Sequence, residues 1–225
     1  MTPVYIPATE AEQWKQFLAD PEKQWRTGYS ARTIAYSWQE ADGFPEEIRS
    51  VLQKCTVFTD INPLIVLPEH KVSLPGGSRP SQNDVWILAR TKEDLVSITV
   101  EGKVRETFGP TLSDWLTEGS KGKATRLEFL RRELNLNEAI AGHIRYQLIH
   151  RTASSIIEAK RFTAKHAVML VHSFSQVHEW FDDYAAFVEL LGGAATKNEL
   201  TYLGPRSGVH LYLGWVVGDE KYLSR

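Results

Sequence analysis

A single cysteine, Cys55, stands in the 225 residues, which excludes an internal disulfide framework and any multi-cysteine zinc site. No apolar run approaches the roughly 18 residues that a membrane-spanning helix needs. The first residues also lack a charged-then-apolar leader. The expectation is a soluble, cytoplasmic protein with no membrane partner. Excess positive charge is missing as well: 26 Lys and Arg face 28 Asp and Glu, a net charge of −2. That balance argues against a dedicated non-specific nucleic-acid coat but leaves room for a local basic groove. Gly-rich phosphate loops and nucleophile elbows are absent. The seven histidines show no metal-ligand spacing; His166 and His172 flank a strand-like run and read as packing or surface residues. No internal repeat, low-complexity tract or interdomain linker divides the chain.

What is present suits one α/β domain over residues 1–225. At 42% hydrophobic and 24% charged, the chain is long enough for a sizeable core. Most of its seven Trp should be core or groove residues. Residues 1–60 read as helical. Thr9-x-x-Glu12 has the form of a capping box ahead of a stripe of Trp14, Phe17 and Leu18. Residues 30–40 carry Ile34 and Trp38 on one face, and Pro45 opens a third helix that runs to about Cys55. A core segment, 61–174, begins with strands over 64–74, 84–90 and 95–105. Thr111-x-x-Asp114 then caps a short helix, residues 124–134 form another, and a long helix over 137–162 leads into a strand at 167–174. Residues 175–225 add a closing helix, 180–191, and a final strand carrying Val209, Leu211 and Leu213.

Asp84, Glu101 and Lys103 are the most informative residues. Asp84 opens the apolar run Val85-Trp86-Ile87-Leu88-Ala89, and Glu101-Gly102-Lys103 lies at the far end of the next run. Side chains alternate along a strand, so Glu101 and Lys103 point the same way, roughly 7 Å apart. If the two runs pair as a hairpin, the start of the first lies beside the end of the second, and Asp84 meets Glu101. Two carboxylates and an ammonium at one end of a sheet make a plausible Mg²⁺ site. Like charges so placed repel, so truncating either acid should leave stability intact or raised. Other acid-x-Lys triplets lack this context. Glu158 and Lys160 lie in a helical run, Asp219 and Lys221 have no acidic strand upstream, and Glu69 and Lys71 have no room for a full preceding strand.

Asp, then Glu-x-Lys on the following strand, resembles the PD-(D/E)XK nuclease superfamily. The helical run Arg145-Tyr146-Gln147-Leu148-Ile149-His150-Arg151, feeding the strand Ala167-Val168-Met169-Leu170-Val171, is similar to the later part of that superfamily's core. Its order of helix, three strands, helix and fourth strand can be laid over residues 45–174. The resemblance implies an α/β, restriction-endonuclease-like core: a central mixed β-sheet flanked by helices, here with an N-terminal helical segment. Asn83 stands where the motif's Pro would be, and Gly102 is an unusual filler whose position faces away from the site. The chain as a whole is also similar to a bacterial family of unknown function.

The resemblance implies a metal-dependent nuclease that hydrolyses phosphodiester bonds, with DNA as the favoured partner and Mg²⁺ or Mn²⁺ as cofactor. Asp84 and Glu101 would hold the metal through carboxylate oxygens. Lys103 would orient or deprotonate the attacking water, or neutralise charge developing on the phosphate. The bland alternative makes Glu101 and Lys103 an exposed pair worth little. Gln147 is a further catalytic candidate. It shares a helix face with His150, Arg151 and Ser154, a face that could equally be solvated. Glu69 could add a carboxylate, although a surface pair with Lys71 or Arg79 is the preferred reading.

Nucleic-acid contacts are sought in two places. The loop 75–83 has glycines that admit a phosphate, with Arg79, Ser81 and Gln82 as donors; a plain hairpin turn is the cheaper reading. Lys121 and Lys123, with Arg126, Arg131 and Arg132, form the densest basic cluster, which is also what a solvated helix face looks like. His150 and Arg151 complete the candidates. A non-catalytic member of the fold, acting as a binding or assembly module, is the alternative function. The sequence leaves a homodimer open.

Overall fold

The computed structural model describes residues 7–225. Six strands form one sheet: β1 (Asn62–Val72), β2 (Ser81–Arg90), β3 (Leu95–Lys103), β4 (His166–Ser173), β5 (Leu200–Arg206) and β6 (Val209–Val217), in the order β1-β2-β3-β4-β6-β5. β1, β2 and β3 pair antiparallel, β3-β4 and β4-β6 pair parallel, and β5 returns antiparallel to β6. The sheet is therefore mixed and flanked by helices, consistent with a restriction-endonuclease-like core.

Helices cover both faces because the strands are apolar on both. On one side α2 (Ser30–Gln39) and α3 (Glu46–Gln53) bring Ile34, Trp38, Ile48 and Leu52 against Val85, Ile87, Ile98, Val100 and Leu170. On the other, α5 (Lys121–Glu133), α6 (Tyr146–Arg161) and α7 (Phe181–Leu190) bury Leu130, Leu148, Ile156 and Phe187 against Ala167, Met169, Val171, Leu213 and Trp215. α6 crosses β2, β3 and β4. Its buried stripe recurs at three- and four-residue spacing, as an amphipathic helix on a sheet requires. Two short helices, α1 (Pro21–Gln24) and α4 (Leu112–Leu116), complete the set. The Thr111–Asp114 capping box forms as its spacing predicts.

Two expectations fail for local reasons, and one strand was not foreseen. Thr9 and Glu12 make no capping box: the Thr9 N–H donates to Gln13 Oε1, while the Glu12 carboxylate accepts from Trp25 Nε1 and the Tyr36 hydroxyl. Residues Ala11–Phe17 form a 3₁₀ rather than an α-helix. The long helix expected over 137–162 begins only at Tyr146. Asn135, at φ 51°, ends the preceding helical turn, and the segment after it bonds to α4: Leu112 N–H to the Ile144 carbonyl and Ser113 N–H to that of Gly142. Finally, β5 has no counterpart in the sequence reading. Gly204 (φ 78°) and Pro205 interrupt it within a register shift, and it returns to β6 through Ser207 and Gly208, both at positive φ.

Candidate active site

The β2–β3 ladder ends at Val85 opposite Val100, which leaves Asp84 and Glu101 facing each other one step beyond. Glu101 and Lys103 share a strand face, and both are buried under α6. Lys103 Nζ donates to Glu101 Oε1 at 2.6 Å and to Gln147 Oε1 at 3.2 Å. Gln147 Nε2 returns a bond to Glu101 Oε1 at 2.8 Å, closing a three-residue ring. Arg151, one turn further along α6, donates from Nε to Glu101 Oε2 at 2.6 Å and from Nη1 to Ser81 Oγ at 3.1 Å. Asp84 bends toward β3, where its Oδ2 accepts the Gly102 N–H at 2.7 Å.

Gly102 does not simply face away. A Cβ there would lie 3.0 Å from Ile34 Cδ1 and 3.3 Å from Asp84 Oδ2, so the glycine makes room for the carboxylate that its own N–H holds.

Asp84, Glu101, Lys103, Gln147 and Arg151 line one cavity of about 440 Å³, which also takes in Glu69, Gln82, Tyr29, Ser30, Lys23 and Glu106. Glu69 is the residue that sequence reasoning undervalued. It is buried, its Oε2 accepts from Gln82 Nε2 at 2.7 Å, and its φ of 51° is left-handed. That turn interrupts the alternation of β1, so Glu69 goes inward while Lys71 stays exposed. Glu69, Asp84 and Glu101 fall level on three consecutive antiparallel strands.

Besides Lys23 and Glu106, the cavity lining holds the carboxylates of Glu69, Asp84 and Glu101 against the buried cations of Lys103 and Arg151. Burial alone would raise the Glu101 carboxyl, but Lys103 and Arg151 outweigh it and hold the group below its ordinary range. Burial and the facing Glu101 charge push Asp84 up to about 7, against the pull of Arg151 and Lys103. Burial and then the Asp84 charge drive Glu69 well above the usual carboxylate range. The donor set is thus short of positive charge and consists of hard oxygens, a combination that suits a divalent cation such as Mg²⁺. Among the described residues no group of three or more His, Cys, Asp or Glu is placed so as to hold a metal ion between them. A Mg²⁺ site commonly relies on one or two carboxylates with water and substrate phosphate.

The residues assigned to nucleic-acid contact separate into two groups. Ser81 is buried and bonded to His150 Nδ1 at 2.8 Å and to Arg151. Ser81 is turned inward, and Arg151, at the cavity wall, spends its guanidinium on Glu101 and Ser81. Burial, with Arg151 and Arg126 nearby, lowers the His150 pKa well below its ordinary value, so its imidazole is neutral at pH 7. Gln82 lines the cavity. Arg79 and Lys121 remain exposed, while Lys123 is half-buried with its ammonium 5.6 Å from the centroid of the Trp115 ring. In the 75–77 loop, the Gly76 backbone packs directly against Gly122 at the start of α5, and Arg126 holds the carbonyls of Leu74, Pro75 and Gly77. Its glycines serve packing.

No helix among the described residues is long and apolar enough to cross a membrane. No curated protein and no solved structure matches the chain. Residues 7–220 match the family model for DUF6946, a domain of unknown function, and the chain belongs to that family.

Proposed function

We propose that this protein is a metal-dependent nuclease of the PD-(D/E)XK type, hydrolysing phosphodiester bonds in nucleic acid, with DNA as its substrate. The observation that carries the reading is the meeting of Asp84, Glu101 and Lys103 in one cavity at the end of the β2–β3 hairpin, with Gln147 closing a ring on the last two. Asp84 and Glu101 would hold Mg²⁺ or Mn²⁺, which supplies Lewis acidity at the scissile phosphate. Lys103 has three N–H donors, of which Glu101 and Gln147 take two; the third is left to orient the attacking water or a phosphoryl oxygen. Gln147 fixes the ammonium by accepting from it while donating to Glu101. Arg151 holds the second oxygen of Glu101 and so sets the direction of the carboxylate. With one cysteine and no membrane-crossing helix among the described residues, we place this activity in the cytoplasm.

One observation favours a second reading, a non-catalytic binding or assembly module. The Arg151 guanidinium already neutralises Glu101 from within, which can make a metal dispensable. Calorimetric titration with Mn²⁺ and Mg²⁺ separates the two. The nuclease reading expects binding by wild type, loss of binding in Asp84→Asn, and metal-supported cleavage of a DNA panel. Absence of both metal binding and cleavage assigns the protein to the second reading.

A further inference from the structure

A second, larger cavity of about 810 Å³ opens beside the first and shares Tyr29 and Glu106 with it. One wall is chain that has just left two parallel strands: Val104–Glu106 after β3, and Phe174–Val177 after β4. The carboxyl ends of parallel strands are where open α/β sheets place their ligand crevices. Tyr29, 43% exposed, and Val177, 78% exposed, present apolar surface to the opening, and Phe174 is buried beneath. Arg105, Ser175 and Gln176 supply polar edges. The Arg26 guanidinium lies 6.0 Å from the centroid of the Tyr29 ring. At the partition between the cavities, the Glu106 carboxylate accepts the backbone N–H groups of Ser30, Val104 and Arg105 at 2.8, 3.0 and 3.0 Å. Its charge is thereby committed to the backbone and ties the loop after β3 to the start of α2.

We propose that the second cavity receives the nucleotide adjacent to the scissile phosphate, its base unstacked against Tyr29 and Val177. The substrate is then single-stranded DNA, or the single-stranded part of a flap or overhang, rather than continuous duplex. This rests on the nuclease reading. Size fits, since small-molecule pockets run from about 300 to 1,000 Å³. Chemistry fits, since an exposed aromatic ring beside a cation is a stacking platform that every base can use. Charge fits as well. Duplex binders draw affinity from neutralising many phosphates, whereas this chain carries a net charge of −2. Lys23, at the first cavity, is already paired with Asp20. Stacking, which a base inside a duplex cannot offer without being flipped out, must supply most of the binding.

The test is fluorescence anisotropy with a labelled single-stranded oligonucleotide, in Ca²⁺ to suppress cleavage. The variants are Tyr29→Ala, Val177→Asp and, remote on β5, Tyr202→Ala. Tyr29→Ala and Val177→Asp should each weaken binding about five- to a hundredfold. Tyr202→Ala, 51% exposed, should bind as wild type does. A matched duplex should compete about tenfold less well or worse, and the salt dependence should be shallow. Val177 is so exposed that its variant reads the subsite even if Tyr29→Ala folds poorly. Equal competition by duplex, or equal loss in Tyr202→Ala, overturns the subsite. Hydrolysis of bis(p-nitrophenyl) phosphate by wild type in Mn²⁺ is measured alongside. If it persists when the binding result fails, the subsite falls alone; if it is also absent, the nuclease reading falls with it.

Discussion

Arg151 Nε lies 2.6 Å from Glu101 Oε2, with both side chains buried. This pair makes the two metal-holding candidates unequal. Glu101 is hydrogen-bonded by both Arg151 and Lys103, whereas among the described residues Asp84 has the Gly102 N–H as its hydrogen-bond donor and feels those cations at longer range. Removing one partner from a buried ion pair costs about 3–5 kcal/mol, because the other charge is left stranded. Glu101→Ala should therefore lower the denaturant midpoint sharply. The argument from like-charge repulsion predicts no loss for either acid, and it carries over only to Asp84. Urea unfolding of the two variants checks this, and similar midpoints for both would contradict the arrangement.

Asp84 should behave in the opposite sense and depend on pH. Its folded pKa is raised to about 7 from an ordinary 3.8. Between those values the folded protein holds a proton that the unfolded chain has lost. The resulting stabilisation is complete at low pH and disappears as pH rises through about 7. Asp84→Asn keeps the neutral form at every pH. Its gain over wild type should be near zero below about pH 3.8, on the order of 1–2 kcal/mol at pH 5 and on the order of 4 kcal/mol at pH 8. Thermal melts of both proteins across that range read the difference directly.

A cation competes with that proton for the same oxygens. Mg²⁺ at a fixed concentration should raise the melting temperature of wild type more at pH 8 than at pH 5.5, and hardly at all in Asp84→Asn. A Mg²⁺ effect independent of both pH and Asp84 would place the ion elsewhere.

Glu106 joins the two cavities through three backbone N–H groups. Burial alone would raise its pKa, but the N–H groups of Ser30 and Val104, with its own, prevail and lower it. Its contribution is thus present above the ordinary carboxylate range and lost as pH falls through the depressed folded value. Glu106→Ala should cost about 1.5–3 kcal/mol at pH 7, as expected for hydrogen bonds to a charged acceptor. It should also speed hydrogen exchange at Ser30, Val104 and Arg105. Unchanged exchange at those amides would show the contacts to be unimportant.

Gly102→Ala tests the close approach of Asp84. The added methyl meets Ile34 and the Asp84 carboxylate, and overpacking of this kind costs about 1–3 kcal/mol. Cleavage should fall further than stability alone explains, because the displaced group is Asp84. Full activity with wild-type stability would mean that the site tolerates the shift.

The hairpin was readable because alternation and a short polar turn fix its register. The same logic placed Asp84 against Glu101, and helical spacing put Gln147 on the right face. Glu69 was not readable, since a left-handed residue inside a strand breaks the very alternation used to read it. Arg151 was legible as a member of the face but not in its role. Whether a cation turns out to a ligand or in to a carboxylate depends on tertiary depth, which helical spacing does not contain. The start of α6 was obscured because residues after Asn135 give carbonyls to α4 in place of a continuous helical ladder.

The most direct test of the central claim is single-turnover cleavage of labelled DNA in Mg²⁺ at pH 8 by wild type, Asp84→Asn and Lys103→Met, purified identically. Each removes one charge with little change of shape, and neither takes the partner from Arg151. The account predicts cleavage by wild type, its loss on chelation, and a fall of at least about a hundredfold in both variants. Equal cleavage by all three, or none by wild type across single-stranded, flap and duplex substrates, would contradict it.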